Sequence, residues 1–185
     1  MNDSEIILGV DPGLATCGFA IVESTGQRSF KLRESGAIRT SSDDPLDSRL
    51  KSIHSEIDNL VSKYEPKLVA VEKIFFSNNQ KTAVLVAQAR GVIILAASGR
   101  EVVDYSPLEI KKTITGYGKA NKKQVQSMVQ RLLGLRELPS PADAADAIGV
   151  SLCCGLDARS AVNKQWEDAM KLPCSLKIQM RTGCC

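Results

Sequence analysis

The sequence has no apolar run long enough to cross a bilayer. Its longest mostly apolar stretch, residues 91–98, falls far short of the roughly 20 residues a spanning helix needs. No early segment carries a basic region followed by an apolar stretch of signal-peptide length. A cytoplasmic protein with no membrane association is expected. Histidine is nearly absent. The single one, His54, lies far from every motif and is expected on the surface or in packing, not as a ligand. There is no CxxC among the six cysteines, which gives little support to a structural zinc site. Without a secretion signal, reduced thiols are the default. The terminal Cys184-Cys185 pair is no prenylation signal, because Thr182 stands where that motif needs cysteine. Acid is missing from one long segment. Residues 110–136 hold seven bases and no Asp or Glu: Lys111, Lys112, Lys119, Lys122, Lys123, Arg131 and Arg136. The chain carries +3 in all, so removing those seven leaves −4 for the remainder. Such asymmetry suits a local polyanion-binding surface on an otherwise acidic protein, beside the plainer reading of a solvated basic helix face.

The 185 residues suit one domain with a sizeable core. Residues 6–10 read as a buried strand, 19–22 as a second, and 30–38 as a third, more polar one. Their closeness in sequence favours an antiparallel meander. Between residues 45 and 64 apolar side chains recur at Leu46, Leu50, Ile53, Ile57, Leu60 and Val61, the spacing of an amphipathic helix. Residues 67–74 form a strongly apolar central strand, 78–97 a helix, and 101–105 a short strand. Helices are predicted over 107–114, 121–133 and about 141–158. Three strands followed by helix, strand, helix, strand and helices describe an α/β sheet with an antiparallel edge meander and helical crossovers. Apolar periodicity fades after Asp157, so a domain over 1–158 and a loosely ordered tail over 159–185 are expected. The helix at residues 82–89 is apolar nearly all round. It must be buried on more than one side, either within the monomer or against a second subunit.

Four carboxylates occupy positions that need a reason. Asp11 ends the run 6–10, Glu72 ends the run 68–71, and Asp143 and Asp146 interrupt an alanine-rich helix. A carboxylate at the edge of a core costs several kcal/mol unless it is paired or binds a cation. Asp11 precedes Pro-Gly and has a turn role available; Glu72 has none. Asp143 completes a capping box with Ser140, Pro141 and Ala142. Asp146, three residues later on the same face, is not explained by capping. Convergence of the four would hold hard divalent cations, and two such cations about 3.5–4 Å apart can clamp the attacking and leaving oxygens of a phosphodiester.

The residues then match a family. Residues 7–14, Ile-Leu-Gly-Val-Asp-Pro-Gly-Leu, with Gly18, resemble the opening strand of the RuvC-family Holliday-junction resolvases. Val69-Ala70-Val71-Glu72 with Phe75 and Asn79 is similar to that family's second acidic motif. Gln88-Ala89-Arg90-Gly91, Tyr105-Ser106-Pro107, Ile110-Lys111-Lys112, Gly116-Tyr117-Gly118 and Lys122-Lys123-Gln124-Val125 follow in register. Residues 141–147, Pro-Ala-Asp-Ala-Ala-Asp-Ala, close the set. The resemblance covers about residues 5–156. It implies an RNase H-like fold, a five-stranded mixed sheet with helices on both faces. It implies a homodimeric endonuclease, dependent on two Mg²⁺ ions (Mn²⁺ as substitute), making paired symmetric nicks in four-way DNA junctions. It places Asp11, Glu72, Asp143 and Asp146 as metal ligands and gives Lys111 and Lys122 supporting roles at the site. Phe75 would stack on or wedge between bases at the junction centre, and Lys112, Lys119 and Lys123 would touch DNA. A RuvA–RuvB branch-migration motor is the implied partner. The tail, with Trp166, matches no motif of the family. Rival readings are a YqgF-type RNase H-like nuclease acting on RNA, a sugar-kinase or actin-like ATPase, and a non-catalytic junction-binding module. The Lys122-Lys123-Gln124-Val125 helix and the Asp143/Asp146 pair disfavour the first, and the short chain the second. The acidic quartet disfavours the third, because a pure DNA binder gains nothing from acids beside phosphates.

Overall fold

A computed structural model of the chain describes residues 4–26, 28–74, 80–137 and 140–170. The apolar run at residues 6–10 builds β1 (Glu5–Asp11), which the loop at 12–15 joins to β2 (Thr16–Gly26). So short a loop permits only an antiparallel pair, and β2 pairs in turn with β3 (Ser29–Arg39). The chain then crosses over through α1 (Leu46–Tyr64) to β4 (Leu68–Glu72), which lies parallel to β1. A second crossover through α2 (Gln80–Ala96) delivers β5 (Glu101–Tyr105), parallel to β4. The sheet order is β3-β2-β1-β4-β5. Three helices follow: α3 (Pro107–Thr115), α4 (Lys122–Leu133) and α5 (Ala142–Met170).

Strand alternation divides the core into two halves. Leu8 and Val10 of β1 and Val69 and Val71 of β4 meet Ile53 and Ile57 of α1 and Ala89 and Ile93 of α2. Ile7 of β1 and Leu68 and Ala70 of β4 meet α5 through Ala147, Ile148 and Leu152, with Ile110 and Ile114 of α3 behind. Ile7, Leu8, Ile53, Ile57 and Ile148 are fully buried, and burying each such side chain is worth about 1.5–3 kcal/mol. Helices therefore cover both faces and hold the strand ends in place. Asp11 continues the β1 face of Ile7 and Gly9, and Glu72 continues the β4 face of Leu68 and Ala70. Both acids thus turn toward α5.

The last helix lies unusually close on the sheet because small residues meet there. A Cβ built on Gly9 would stand 2.4 Å from the Ala147 carbonyl oxygen and 2.7 Å from the Ser151 Cβ. Ser151 is buried, and its hydroxyl donates to the Ile148 carbonyl at 2.9 Å.

Two expectations on extent are corrected. The strand expected at 19–22 runs over Thr16–Gly26, because its pairing with β3 continues past the apolar residues through Glu23 and Ser24, with an irregularity in register at Ile21/Val22. The helix expected to end near 158 continues to Met170, beyond the point where its apolar periodicity stops. Residues 171–185, including three of the cysteines, lie outside the described residues. No helix among the described residues is long and apolar enough to cross a membrane.

Candidate active site

The four acids meet at the C-terminal edge of the central strands. Val10 and Val71 are partners in the parallel ladder, so Asp11 and Glu72 are the next residues along two adjacent strands. Across the first hairpin Asp11 pairs with Gly18. A Cβ on Gly18 would stand 2.2 Å from the Asp143 carbonyl oxygen, so the first turn of α5 rests directly on β2 beside Asp11. Asp143 occupies that first turn, where a negative charge is favoured by the helix dipole, and Asp146 follows three residues on. A first-turn place favoured by the helix dipole and a place at the site are therefore compatible for Asp143. All four carboxylates are half-buried.

Crowding of like charges in a half-buried setting has the expected consequence. Burial first, then the charges of Asp146 and Asp143, push the Asp11 carboxyl up to about 6, against the opposing effects of a Glu72 hydrogen bond and Lys122. Burial and the Asp11 charge push Glu72 up to about 8, with the hydrogen bond to Asp11 and the Asp146 charge adding and Lys111 opposing. Glu72 is thus the protonated donor and Asp11 the carboxylate acceptor. Near neutral pH the pair keeps about one proton between them.

Two lysines reach the cluster from the acid-free segment. Asn121 caps α4 through a reciprocal box with Gln124, and this fixes Lys122 at the first helical position. Its Nζ stands 2.7 Å from Asp146 Oδ2. Lys111, on α3, lies close enough for its charge to favour ionised Glu72. Lys112, Lys119 and Lys123 are exposed and make no ion pair among the described residues. Phe75 and Asn79 fall outside the described residues. Cys17, Cys153 and Cys154 are free but buried, and burial pushes each thiol up to about 12, so none is a nucleophile.

The chemistry of the donor set fits hard divalent cations: four carboxylates, no thiolate, no imidazole, and more negative charge than two lysines offset. Among the described residues, however, no three acids stand together as a ready ligand cluster. Asp11 and Glu72 are bonded to each other and Asp146 to Lys122. A cation would take over as counter-charge from the shared proton and the lysine, freeing those oxygens.

A cleft of about 260 Å³ is lined by Asp11 and Glu72 together with Pro12, Lys73, Ile74 and Pro107. The sequence reading missed Lys73. A lysine after a strand-end Glu carries no signal by itself, and the cleft is formed by segments distant in sequence. Gly9 and Gly18 were legible only as motif letters; their role in seating α5 needs the three-dimensional approach distances.

Comparison with known proteins agrees with this geometry. The family model described as "Crossover junction endodeoxyribonuclease RuvC" matches residues 7–154. A curated protein of that description from Halothermothrix orenii is 47% identical over 163 residues, covering 87% of this chain and 97% of the relative. One from Caldicellulosiruptor saccharolyticus is 44% identical over 163 residues, covering 87% and 98%. Among solved structures, T. thermophilus RuvC in complex with Holliday junction substrate superposes with a TM-score of 0.81 at 32% identity, covering 84% of this chain and 95% of that one. The yeast mitochondrial Holliday junction resolvase shares the fold, with a TM-score of 0.61 at 11% identity over 88% of this chain and 86% of that one. With the matched region spanning β1 through the buried part of α5, acids included, the chain belongs to the RuvC family of crossover junction endodeoxyribonucleases.

Proposed function

We propose that this chain resolves four-way DNA junctions in recombination and repair, as a homodimer that hydrolyses one phosphodiester in each of two equivalent strands. The observation that carries this reading is the convergence of Asp11, Glu72, Asp143 and Asp146, close enough for their charges to act on one another, beside an acid-free, lysine-rich segment. Mg²⁺, with Mn²⁺ as a substitute, would be held by these four carboxylates, two ions to a site. Bound there, the ions supply Lewis-acid stabilisation of charge on the phosphodiester oxygens. The chain's own groups do the rest. The strands and α5 hold the carboxylates in place, Lys122 and Lys111 neutralise phosphate charge next to them, and Lys112, Lys119 and Lys123 bind the arms. This electrostatic part makes binding steeply salt-dependent. Phe75 is assigned to stacking at the junction centre on the strength of the family motif.

The dimer has support from α2. Val84 is 56% exposed and Leu95 62%, and with Ala87, Gln88 and Gly91 they form one stripe at helical spacing on the face turned away from α1. An exposed apolar stripe of this kind suits a second copy of the chain. A two-fold dimer presents two identical sites, which matches a substrate with two equivalent strands. A cytoplasmic location and a RuvA–RuvB motor as partner complete the proposal, with residues 1–158 as the nuclease domain and 159–185 as an appendage to it.

The test is direct. The chain is incubated with a synthetic mobile four-way junction, with and without Mg²⁺, and the nicks are mapped on each strand. Paired nicks at symmetry-related positions, dependent on Mg²⁺, are expected. Cleavage of RNA with the junction left intact would overturn the reading in favour of the RNA-directed rival.

A further inference from the structure

The cleft beside the acids contains a cation that the family motifs do not include. Lys73 directly follows Glu72, and its backbone N–H donates to the Tyr105 carbonyl at 2.8 Å, so its Cα is fixed to the sheet edge. Asp11, Glu72 and Lys73 all line the cleft. In spatial order the charges run from Asp143, resting over β2, through Asp11 on β1 and Glu72 on β4, to Lys73 on the side toward β5. A DNA strand crossing this edge meets the acids and then a positive charge.

That charge is available. Its partner is Glu109 at 3.7 Å, and the two side chains are 46% and 54% exposed. The same Glu109 oxygen, Oε2, accepts the Ser106 N–H at 2.7 Å in the cap of α3, so its main task lies elsewhere. An exposed pair of this geometry is weak, and a phosphate readily replaces it. Lys122, by contrast, is already bonded to Asp146 at 2.7 Å. The cleft, at about 260 Å³, falls just under the range of drug-sized sites and suits a single unit of DNA backbone.

We propose that this cleft seats the backbone phosphate next to the one that is cut, and that Lys73 is its counter-charge. The inference rests on the resolvase reading and adds a subsite to it. Lys73 sets the strand's register over the acids, so it acts on positioning as well as on affinity.

The test couples a residue to a single phosphate. Junctions carry one neutral methylphosphonate at each position flanking the mapped cut. Wild type, Lys73→Ala, Lys73→Arg and Glu109→Gln are compared by junction binding and by single-turnover cleavage. Wild type is expected to lose about tenfold at one flanking position, the scale of one charge-assisted bond. Lys73→Ala should show that loss on the unmodified junction and no further loss at that position. Its salt slope of binding should fall by about 0.7–0.9. Lys73→Arg should restore the coupling, and Glu109→Gln should leave it intact. Losses that add at every flanking phosphate, or a Glu109→Gln variant that reproduces Lys73→Ala, overturn the inference while the resolvase reading stands. A wild-type chain that leaves the junction uncut overturns both.

Discussion

Gly18 and Asp143 touch through backbone alone: no side chain fits between them, since a Cβ on Gly18 would stand 2.2 Å from the Asp143 carbonyl oxygen. The first turn of α5 is seated on β2 by that contact, and the position of two of the four acids depends on it. Gly18→Ala should push the turn away. A loss of about 1–3 kcal/mol in stability is expected from the overpacking, with a larger proportional loss of junction cleavage because Asp143 and Asp146 move together. Thermal melts and single-turnover cleavage of the same preparation check this. Full activity in Gly18→Ala would show that α5 tolerates the shift.

Lys122 is exposed and Asp146 only half-buried, so their pair contributes little to folding, under about 1 kcal/mol. Its place beside the acids gives it a different use. Lys122→Ala should leave the melting temperature nearly unchanged, reduce cleavage by about 10–100-fold and lower the salt slope of junction binding by under one. An unchanged cleavage rate would remove this lysine from the site.

The raised pKa values of Asp11 and Glu72 make a prediction with a definite sign. Ordinary carboxyls release their protons near pH 4, whereas in the fold these two hold theirs to about 6 and about 8. The folded chain therefore binds more protons than the unfolded one in that window. Their contribution to stability is full below pH 4 and is lost as pH rises through 6 and 8. Without metal, the melting temperature should fall between about pH 4 and about pH 8, and Mg²⁺ should restore it most at the upper end. Asp11→Asn should flatten this dependence, keep junction binding and remove cleavage. Melting curves at several pH values, with Mg²⁺ and with EDTA, give the answer. A loss of binding in Asp11→Asn counts against the ligand role.

On α2, Leu95 is 62% exposed and makes no demand on the monomer core. Leu95→Asp should leave the circular dichroism spectrum intact and shift sedimentation from dimer to monomer. Nicks in such a variant should lose their pairing, with single-strand cuts accumulating. A Leu95→Asp chain that remains a dimer moves the interface off this stripe.

Much of this was legible in the residues. Apolar runs ending in carboxylates revealed β1 with Asp11 and β4 with Glu72, because a strand that stops at an acid has few structural reasons to do so. Helical spacing in residues 46–61 gave α1 nearly to the residue. What stayed hidden depends on partners far along the chain. The polar half of β2 is a strand only because β3 pairs with it, and no local pattern reports that. Asp143 reads as a cap until β2 is placed beneath it. Lys73 is an ordinary surface lysine until α2 and α3 close a cleft around it.

The packing of α5 between the sheet and α3 has a temporal consequence. Asp11 lies on the first strand and Asp143 and Asp146 on the last helix, so the four acids cannot come together until α5 has been made. Closing contacts of such long sequence separation is a late event in folding. On the proposed role of the four acids, cleavage should therefore appear only after α5 has docked.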